Sequence, residues 1–490
     1  MELELKLALP VQDPGGLEKQ LARCALIGRR KPKRQQLHNV YYDTPDHALQ
    51  KMAVALRVRR ISGKGAPHWV QTLKIGGASD SAFSRRGEWE TPNPRGTLDS
   101  AMLSDTPWMD RDRDGALFQA LSPVFTTDFE RLSWVVKLQD GAVEIALDRG
   151  QVLMDGHSTP LCELEIELLE GAPEAVFEAA FQIGLQLSLL PLHMSKAERA
   201  YRLAEGTLDA PLRARPPALS KDMAFSTVVQ TVLRESFLQF TANLYTLRIS
   251  DAPEVLHQAR VGWRRFKSAL KLFKQSGGES GAPGMDLLKP LLSDMTRLRD
   301  LDVAASEVFP AHAEAFQNGD ARHVRSWRAM EETLEQERQQ LRAALRQLLA
   351  DPAVGRTLLQ ITRWLETGAI DLPGVPHPHK KRSVSDWVRK RITQLVEQLQ
   401  AIPAHAKDPV QQHQLRILSK RLRYGVENLR ALLPQKRAER WLQTATQTQT
   451  RIGITRDRLQ AIAIAQRLQA ADGVVQFLRG AAFAGNPGPG

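Results

Sequence analysis

Apolar and polar residues alternate one by one through much of the first 205 residues. Because successive side chains of a β-strand point to opposite faces, such alternation is typical of strands with one apolar and one polar face. Short turns separate the alternating segments, and helical patterns occur near 14–23, 112–121, 173–184 and 195–204. The pattern predicts an eight-stranded antiparallel β-barrel with flanking helices. Its strands are expected near 2–9, 37–43, 53–61, 68–75, 83–91, 129–138, 142–153 and 159–169.

The pattern changes to a helical one in the second part of the chain. Residues 206–220, GTLDAPLRARPPALS, have no periodicity and contain several prolines, which is typical of a linker. Long segments rich in Leu, Ala, Gln, Arg and Glu follow over 221–485, and loops are expected at 277–284 and 372–381. We therefore expect a multidomain α+β chain: a barrel domain (1–205), a linker (206–220), an all-α domain (221–485) and a flexible tail (486–490).

The helical part contains an internal repeat. Residues 254–273 can be laid over 409–429, so that a histidine and four basic positions coincide. Asp300 also lies about as far from the first histidine as Asp457 lies from the second. The repeat predicts two similar helical bundles. The aligned pairs are His257 with His413, Arg260 with Arg416, Arg264 with Lys420, Arg265 with Arg421, and Lys267 with Arg423.

Composition adds a partner class and a compartment. The formal net charge is +12, yet the first 220 residues hold 27 basic against 29 acidic side chains, so the basic excess lies in the helical part. Such an excess favours a polyanionic partner. The two cysteines, Cys24 and Cys162, do not exclude a disulfide, but they predict neither a disulfide scaffold nor a zinc site. With no secretory signal or membrane span in the pattern, we expect a cytoplasmic protein.

Charged residues recur at period two on many of the predicted strands. One such strand is usually a solvated surface, but acids and bases on so many strands make an inward-facing charged lumen equally plausible. Buried charges must pair, hydrate or hold ions. Arginine and lysine suit phosphate oxygens, and carboxylates suit Mg²⁺ or Mn²⁺. The residues are Glu2, Glu4, Lys6, Arg57, Arg59, Lys74, Arg86, Glu88, Glu90, Arg131, Glu144, Asp148, Glu163, Glu165 and Glu167, with Lys196 on a following helix.

The order of these motifs resembles the CYTH superfamily, the triphosphate tunnel metalloenzymes. MELELK is similar to the ExExK signature, and YYDTPD, ALRVRR, TLK, RGEWE, ELEIEL and SKAERAYRL follow in the family order over residues 1–205. The resemblance implies an eight-stranded tunnel that hydrolyses a phosphoanhydride with a divalent metal. We expect the substrate to be inorganic triphosphate, cleaved to pyrophosphate and phosphate. Thiamine triphosphate or ATP as substrate, ATP cyclisation, and a binding scaffold with weak or no catalysis stay open.

The resemblance also implies roles for single residues. Glu2 and Glu4 are expected to bind the metal, with Glu88, Glu90 and Asp148 as further acidic positions. Glu165 and Glu167 are expected to hold a second metal and position water. Glu163 shares their strand face, so the pair Glu163 and Glu165 is the alternative. Lys6 either orients water or binds phosphate. The triphosphate ligands are expected to be Arg57, Arg59, Lys74, Arg131 and Lys196, with Arg86 as a weaker candidate.

The repeated helices carry basic stripes. On a helix, His257, Arg260, Arg264, Lys267, Lys271 and Lys274 share one stripe, and His413, Arg416, Lys420 and Arg423 share its counterpart, while Arg265 and Arg421 depart from it. A solvated helix face usually includes acids at i,i+4 spacing, and the first stripe has none. Three segments resemble motifs of the CHAD domain: HQARVGWRRFKSALK, HQLRILSKRLRY and RLRDLD. The resemblance implies binding of inorganic polyphosphate. We therefore also expect association with polyphosphate granules.

The same resemblance makes three aspartates structural partners of the cations rather than catalysts: Asp300, Asp302 and Asp457. Nucleic acid is the alternative partner of a basic helical surface. Trp263 and Tyr424 are isolated aromatic residues near the stripes, and no base-reading motif is evident. We therefore expect phosphate recognition without specific nucleic-acid binding and without a membrane partner.

Overall fold

A computed structural model describes residues 2–9, 14–28, 30–76, 81–273, 282–367, 384–403 and 408–484. Lys274, the expected loop at 372–381 and the expected tail at 486–490 lie outside these ranges.

Nine strands form one antiparallel sheet. Their order is β5-β4-β3-β2-β6-β7-β8-β1-β9, and β5 pairs with β1 as well, so eight strands close into a barrel. All eight predicted strands are confirmed, and the unpredicted β9 adds two residues beside β1. The strands are β1 (Glu2–Ala8), β2 (Lys33–Asp43), β3 (Val54–Gly63), β4 (Gly65–Ile75), β5 (Phe83–Pro92), β6 (Ser122–Leu138), β7 (Gly141–Met154), β8 (His157–Gly171) and β9 (Leu190–Pro191).

Short helices accompany the barrel. They are α1 (Pro14–Arg23), α2 (Ala48–Lys51), α3 (Trp108–Arg111), α4 (Ala116–Gln119), α5 (Glu174–Ile183) and α6 (Lys196–Ala204), with a 3₁₀ turn at Ser100–Leu103. Of the helix expected over 112–121, only the short α4 forms, because Asp112, which follows α3, leaves the helical conformation. Its carboxylate instead accepts the backbone N–H groups of Leu117 and Phe118 at the start of α4.

A large apolar cluster packs against the outer face of the barrel. On β1, Leu5 and Leu7 are fully buried and pack in one cluster with Ile166 of β8 and with Phe177 and Ala180 of α5. The alternating partners of these leucines therefore face the barrel interior. Because helices cover the apolar outer face of these strands, the charged face points into the lumen.

The helical part begins with a long helix and contains ten α-helices among its described residues. They are α7 (Phe225–Thr246), α8 (Pro253–Phe273), α9 (Lys289–Val303), α10 (Pro310–Gln317), α11 (Ala321–Leu349), α12 (Pro352–Thr367), α13 (Val384–Gln400), α14 (Pro409–Leu429), α15 (Gln435–Arg467) and α16 (Asp472–Ala484). Short turns occupy Met285–Leu288 and Arg430–Leu432, and a π-helix occupies Ala304–Val308.

Helices α8 and α14 correspond to the two copies of the repeat. Each has 21 residues and begins with a proline, and each aligned histidine is the fifth residue of its helix. The two helices contact each other: Arg265 donates a hydrogen bond to Asn428 at 2.5 Å and lies 3.6 Å from Glu427. At Gly262 an added Cβ would lie 2.6 Å from the backbone nitrogen of Phe240, so this glycine lets α8 pack directly on α7.

Two compact units divide the chain. The first comprises 1–210, 244–250 and 349–368, and the second comprises 211–243, 251–348 and 369–490. Two short segments from the helical part of the sequence thus belong to the barrel unit. Within the described ranges, none of the helices is both long and apolar enough to span a bilayer.

Candidate functional site

The barrel encloses a cavity of about 1450 Å³ lined by charged side chains. The alternating face of β1 contributes Glu2, Glu4 and Lys6, and the corresponding faces of the other strands contribute the rest. Lys196 of α6 and nine of the predicted strand residues also line the cavity. These nine are Arg57, Arg59, Lys74, Arg86, Glu88, Glu90, Arg131, Glu165 and Glu167. Asp148 and Glu163 do not line the cavity but are fully buried behind it.

One group of acids is already neutralised by protein cations. We call it the paired cluster: Asp148, Glu163, Glu165, Arg131 and Lys196. The Lys196 Nζ lies 2.8 Å from Asp148, 2.5 Å from Glu163 and 2.9 Å from Glu165. Burial opposes ionisation of Glu165, but Lys196 and Arg131 outweigh it and hold its pKa well below the usual range. The same balance lowers the pKa of Asp148.

A second group of acids is short of cations. We call it the acidic group: Glu2, Glu88, Glu144 and Glu167. Lys74 contacts Glu2 at 2.8 Å and Glu88 at 3.1 Å, whereas Glu144 and Glu167 make no ion pair within the described ranges. Burial and the charges of Glu2, Glu88 and Glu144 raise the pKa of Glu167 to about 7, against the opposing effect of Lys74.

Glu4 and Lys6 lie between these two groups. The Lys6 Nζ is 3.2 Å from Glu4 and 3.7 Å from Glu165, and Ser84 donates a hydrogen bond to Glu4 at 3.2 Å. Both side chains are almost completely buried. Lys6 is thus placed to balance the charges of Glu4 and Glu165, and these contacts do not separate its two predicted roles.

The arginines of β3 are held by neutral and acidic partners. Arg57 donates to the Tyr41 hydroxyl at 3.2 Å and lies 3.5 Å from Glu88, while Arg59 donates to Asn39 at 2.7 Å. Burial and the neighbouring charges of Arg57 and Arg131 lower the pKa of Arg59 to about 10. Repulsion of this kind is relieved when a polyanion binds, so the arrangement suits phosphate.

Two further predicted residues have looser surroundings. Glu90 accepts a hydrogen bond from Thr72 at 3.0 Å, lies 3.7 Å from Arg57, and its side chain is 45% exposed. Arg86 lines the cavity and forms no ion pair within the part of the chain that the structure describes. A free guanidinium suits an anion ligand, whereas the contacts of Glu90 suit a partner for arginine.

The donor chemistry of the cavity fits a hard divalent cation. Carboxylate oxygens are the ligands that Mg²⁺ and Mn²⁺ prefer. Single oxygens of Asp148, Glu163 and Glu165 lie within 4.8 Å of one another, but Lys196 and Arg131 already occupy them. In the acidic group, Glu144 and Glu167 form no ion pair among the described residues, and the neighbouring carboxylates raise the pKa of Glu167, so this group is the better-suited metal site.

Some residues in or next to the cavity have no role assigned from the sequence, although Glu144 is among the period-two charges named there. Glu144 stands opposite Glu167 in the register of β7 and β8, and its period-two spacing to Asp148 was the available signal. Tyr41 and Asn39 lie on β2 opposite the β3 arginines. Arg199 lies behind Glu163 at 3.9 Å. Nothing in the local sequence indicated these neutral or distant partners.

In the helical unit, the two basic stripes supply one group of neighbouring cations. We call it the cation cluster: Arg260, Arg264, Arg416, Lys420 and Arg456. Burial, followed by Arg264, Arg416 and Arg456, lowers the pKa of Lys420 to about 7. Burial and Arg264 lower the pKa of Arg260 to about 10. Each repeat thus contributes cations that repel those of the other, and Arg456 of α15 is an unpredicted member.

The remaining stripe residues have different surroundings. Burial and Arg299 lower the pKa of His257 to about 4, whereas His413 is exposed. Burial lowers the pKa of Lys271, and the nearby charges of Arg421 and Lys267 lower it further. Arg423 donates to Glu427 at 2.8 Å. Arg265, which departs from the stripe, is buried against α14.

The three aspartates of the helical unit have different partners. Asp300 lies 3.7 Å from Arg456 of the cation cluster. Asp302 is fully buried and contacts Arg338 at 2.8 Å and Arg342 at 3.1 Å, both of α11 rather than of a stripe. Burial raises the pKa of Asp457 against the charge of Arg456. The contacts of Asp300 and Asp302 are ion pairs between helices.

Residues 1–201 match the CYTH domain, and residues 231–466 match the CHAD domain. The chain therefore contains a CYTH domain followed by a CHAD domain, as the motifs indicated. An inorganic triphosphatase from Haemophilus influenzae is 30% identical over 207 residues, which cover 41% of this chain and 54% of that protein. The chain thus matches about half the length of this curated relative.

Solved structures resemble each part separately. The CHAD domain of the plant Ricinus communis has a TM-score of 0.48 and 27% identity, covering 56% of this chain and 91% of that chain. The HpAC1 protein of Hippeastrum, described as having a dominant triphosphatase activity, has a TM-score of 0.32 and 21% identity, covering 42% and 96%.

Proposed function

We propose that the barrel cavity hydrolyses inorganic triphosphate to pyrophosphate and phosphate with bound Mg²⁺ or Mn²⁺. The observation that carries the proposal is the coexistence, in one cavity, of several arginine and lysine side chains with an acidic group in which Glu144 and Glu167 form no ion pair among the described residues. The similarity to the Haemophilus influenzae inorganic triphosphatase supports the same activity.

The lining favours an inorganic substrate over a nucleotide. Tyr41 and His68 are the aromatic side chains at the described cavity surface. The Tyr41 ring stacks on Phe125 with a centroid distance of 4.3 Å, and its hydroxyl accepts a hydrogen bond from Arg57. One face of the ring and the hydroxyl are therefore already in contact with protein groups, and base stacking on Tyr41 is disfavoured. Thiamine triphosphate and ATP remain the alternative substrates to be tested.

Different residues of the cavity have different roles in the proposed hydrolysis. Arg57, Arg59 and Lys196 bind phosphoryl oxygens, together with Lys74, Arg86 and Arg131, and stabilise the charge that develops on them. Glu2, Glu4 and Glu167, with Glu88 and Glu144 nearby, would hold the metal. When bound, the divalent cation neutralises phosphate charge and lowers the pKa of coordinated water. Glu165 and Lys6 orient the water that attacks the terminal phosphorus, pyrophosphate leaves, and the released proton passes to a carboxylate and then to solvent.

Product analysis tests the activity. Purified full-length protein is incubated with inorganic triphosphate, ATP, thiamine triphosphate and pyrophosphate, each with Mg²⁺, Mn²⁺ or EDTA. We expect phosphate and pyrophosphate in equal amounts from triphosphate, and no turnover with EDTA. The double variant Glu2→Ala/Glu4→Ala should be inactive at excess metal. Full activity of that variant, or a preference for ATP or thiamine triphosphate, would contradict the proposal.

For the CHAD domain we propose binding of inorganic polyphosphate at the cation cluster. Basic groups from both repeats lower one another's pKa there, so a polyanion gains more by binding than at isolated surface cations. Such binding would also bring the protein to polyphosphate granules in the cytoplasm.

Binding to the full-length protein tests this second proposal. Arg264→Ala should weaken the affinity for long-chain polyphosphate about tenfold, the loss expected of one charge-assisted hydrogen bond. Arg440→Ala is the charge-matched control because Arg440 is exposed on α15 outside the cluster. Equal loss in both variants, or competition by RNA as strong as by polyphosphate at matched salt, would contradict a specific site.

A further inference from the structure

A row of buried polar groups continues from the paired cluster away from the cavity. Lys196 and Arg199 are three residues apart on α6 and therefore share a helix face. Glu163 lies between them: its Oε1 is 2.5 Å from the Lys196 Nζ, and its Oε2, which accepts no hydrogen bond, forms a longer ion pair of 3.9 Å with the Arg199 Nη2. Glu163 has no exposed surface. One buried carboxylate is thus shared by two cations.

Arg199 is held in turn by Tyr245. The Arg199 Nη1 donates a hydrogen bond to the Tyr245 hydroxyl at 3.0 Å, and the guanidinium carbon lies 5.9 Å from the ring centre. Arg248 lies 5.9 Å from the same ring and donates a hydrogen bond to the carbonyl of Leu9, just beyond β1. Burial opposes the charge of Arg199, but Tyr245 and Glu163 outweigh it and raise its pKa.

Tyr245 comes from an unexpected part of the sequence. It lies in the last turn of α7 and in segment 244–250, which belongs to the barrel unit although it follows the predicted linker. The segment therefore supplies the barrel unit with a hydrogen-bond acceptor that residues 1–205 do not contain at this place.

The geometry around Lys196 gives this contact a consequence for the cavity. Its three N–H donors face three carboxylates, of which only Glu165 lines the cavity. A phosphate that enters can take the place of Glu165, while Asp148 and Glu163 hold the ammonium from behind. Without the attraction between Arg199 and the Oε2, only Lys196 would hold Glu163, and the carboxylate would turn and draw the ammonium away from the cavity.

We propose that Tyr245 and Arg199 are positioning residues for the triphosphatase reaction, because they fix Glu163 and thereby aim Lys196 at the substrate. The proposal rests on the proposed function, in which Lys196 binds phosphate. Neither residue touches the substrate, so their effect passes through Glu163.

A double-mutant cycle in the full-length protein tests the positioning role. Tyr245→Phe removes only the hydroxyl and should raise the KM for triphosphate about 3- to 10-fold while kcat stays within about twofold. Tyr42→Phe is the matched control, since Tyr42 is the neighbour of Tyr41 on the opposite face of β2 and lies outside the cavity lining. In a Glu163→Gln background, Tyr245→Phe should have no further effect on KM.

A purely structural role predicts something different. It would lower the melting temperature of Tyr245→Phe with unchanged KM, or give effects on KM that multiply with those of Glu163→Gln, and either result would overturn the proposal. The KM of Arg199→Lys should be closer to the wild-type KM than that of Arg199→Ala. If wild-type protein hydrolyses no triphosphate, the proposed function fails, and the cycle is measured by calorimetry of triphosphate binding, where equal affinities of wild type and Tyr245→Phe overturn the positioning role.

Discussion

Arg131 and Asp148 stand directly opposite each other in the register of β6 and β7 and form two parallel hydrogen bonds, each of 2.7 Å. Asp148 is completely buried, and Arg131 also donates to Glu165 at 2.6 Å. A two-point contact of this kind fixes the plane of the guanidinium. Arg131 is therefore oriented toward the cavity before any substrate arrives.

Removing the buried carboxylate should destabilise the barrel. Asp148→Asn leaves the charges of Arg131 and Lys196 under-compensated, and we expect a loss of about 3 kcal/mol in the free energy of unfolding at pH 7. Because the folded-state pKa of Asp148 is lowered, its contribution is present at neutral pH and is lost as the pH falls below about 4.

Urea denaturation at pH 7 and at pH 3 measures this difference. Asp46→Asn is the control, since Asp46 pairs with Lys51 on the surface and should leave the midpoint unchanged. A difference between Asp148→Asn and wild type that grows toward acid pH would contradict the assigned ion pair.

Arg59 and Arg60 offer a paired test of the charged lumen. Arg59 lines the cavity, whereas Arg60 is exposed on the other strand face and lies 5.9 Å from the Trp69 ring centre. Arg59→Ala should raise the KM for triphosphate about 10- to 100-fold, the loss expected of a buried charged hydrogen bond. Arg60→Ala should leave KM unchanged. Steady-state kinetics at fixed metal and salt would refute the orientation if both variants behaved alike.

Glu167→Gln should have opposite effects without and with metal. The folded-state pKa of about 7 is raised above the unfolded value, so ionised Glu167 costs stability as the pH rises from about 4.5 through 7. At pH 8 in EDTA, the variant should therefore melt at or above the wild-type temperature.

Divalent metal reverses this order because it binds the ionised carboxylate. Mn²⁺ should raise the melting temperature of wild type more than that of Glu167→Gln, and the half-saturating metal concentration should rise about tenfold in the variant. Glu170→Gln, an exposed position on the same strand, should match wild type in thermal scans. Equal stabilisation of wild type and Glu167→Gln by metal would exclude Glu167 as a ligand.

The sequence predicts the strands and their faces well because both depend on local alternation. All eight barrel strands lie where the pattern indicates, and Glu2, Glu4 and Lys6 face inward. It does not predict which acids are neutralised. That depends on cross-strand register, which brings Arg131 to Asp148 across 17 residues.

Long-range placement is the other limit. The basic stripes of α8 and α14 follow from helical periodicity, but the approach of Arg264 and Lys420 depends on how the helices pack. RLRDLD indicates that Asp302 is a structural residue, yet its partners Arg338 and Arg342 come from a helix whose docking no local pattern encodes. The predicted domain boundaries stay a prediction. The sequence also gives no sign that segments 244–250 and 349–368 group with the barrel unit.

Leu359 tests whether segment 349–368 stabilises the barrel unit. It is fully buried in the core cluster that contains Leu5 and Phe177. Nearby, a Cβ added at Gly355 would lie 2.7 Å from the Leu189 carbonyl oxygen, so α12 packs directly on this backbone.

Leu359→Ala should lower the free energy of unfolding by about 2–5 kcal/mol and lower the temperature at which triphosphatase activity is lost. Leu185→Ala, at a position that is 64% exposed, is the control and should stay close to wild type. If Leu359→Ala and wild type lost activity at the same temperature, segment 349–368 would be dispensable for the stability of the barrel unit.

Lys420 should make polyphosphate binding depend on pH. Its pKa of about 7 results from burial and from the charges of Arg264, Arg416 and Arg456. A bound polyanion favours the protonated amine, so the complex takes up a proton above pH 7 and the affinity falls as the pH rises from 7 to 9. His257, with a pKa of about 4, stays neutral in this range.

Lys420→Arg removes most of the titration between pH 7 and 9, because arginine is a stronger base than lysine and Arg260, in the same cluster, has a pKa of about 10. We expect the affinity of this variant for polyphosphate to change little between pH 7 and 9, whereas wild type loses up to about tenfold per pH unit, the limit for one linked proton. Lys390→Arg, on the exposed side of α13, should keep the wild-type profile. Calorimetry at pH 8 in two buffers of different ionisation enthalpy measures the proton uptake directly. Equal uptake by wild type and Lys420→Arg would assign the linked proton to a different group, because only the lysine can lose its charge in this range.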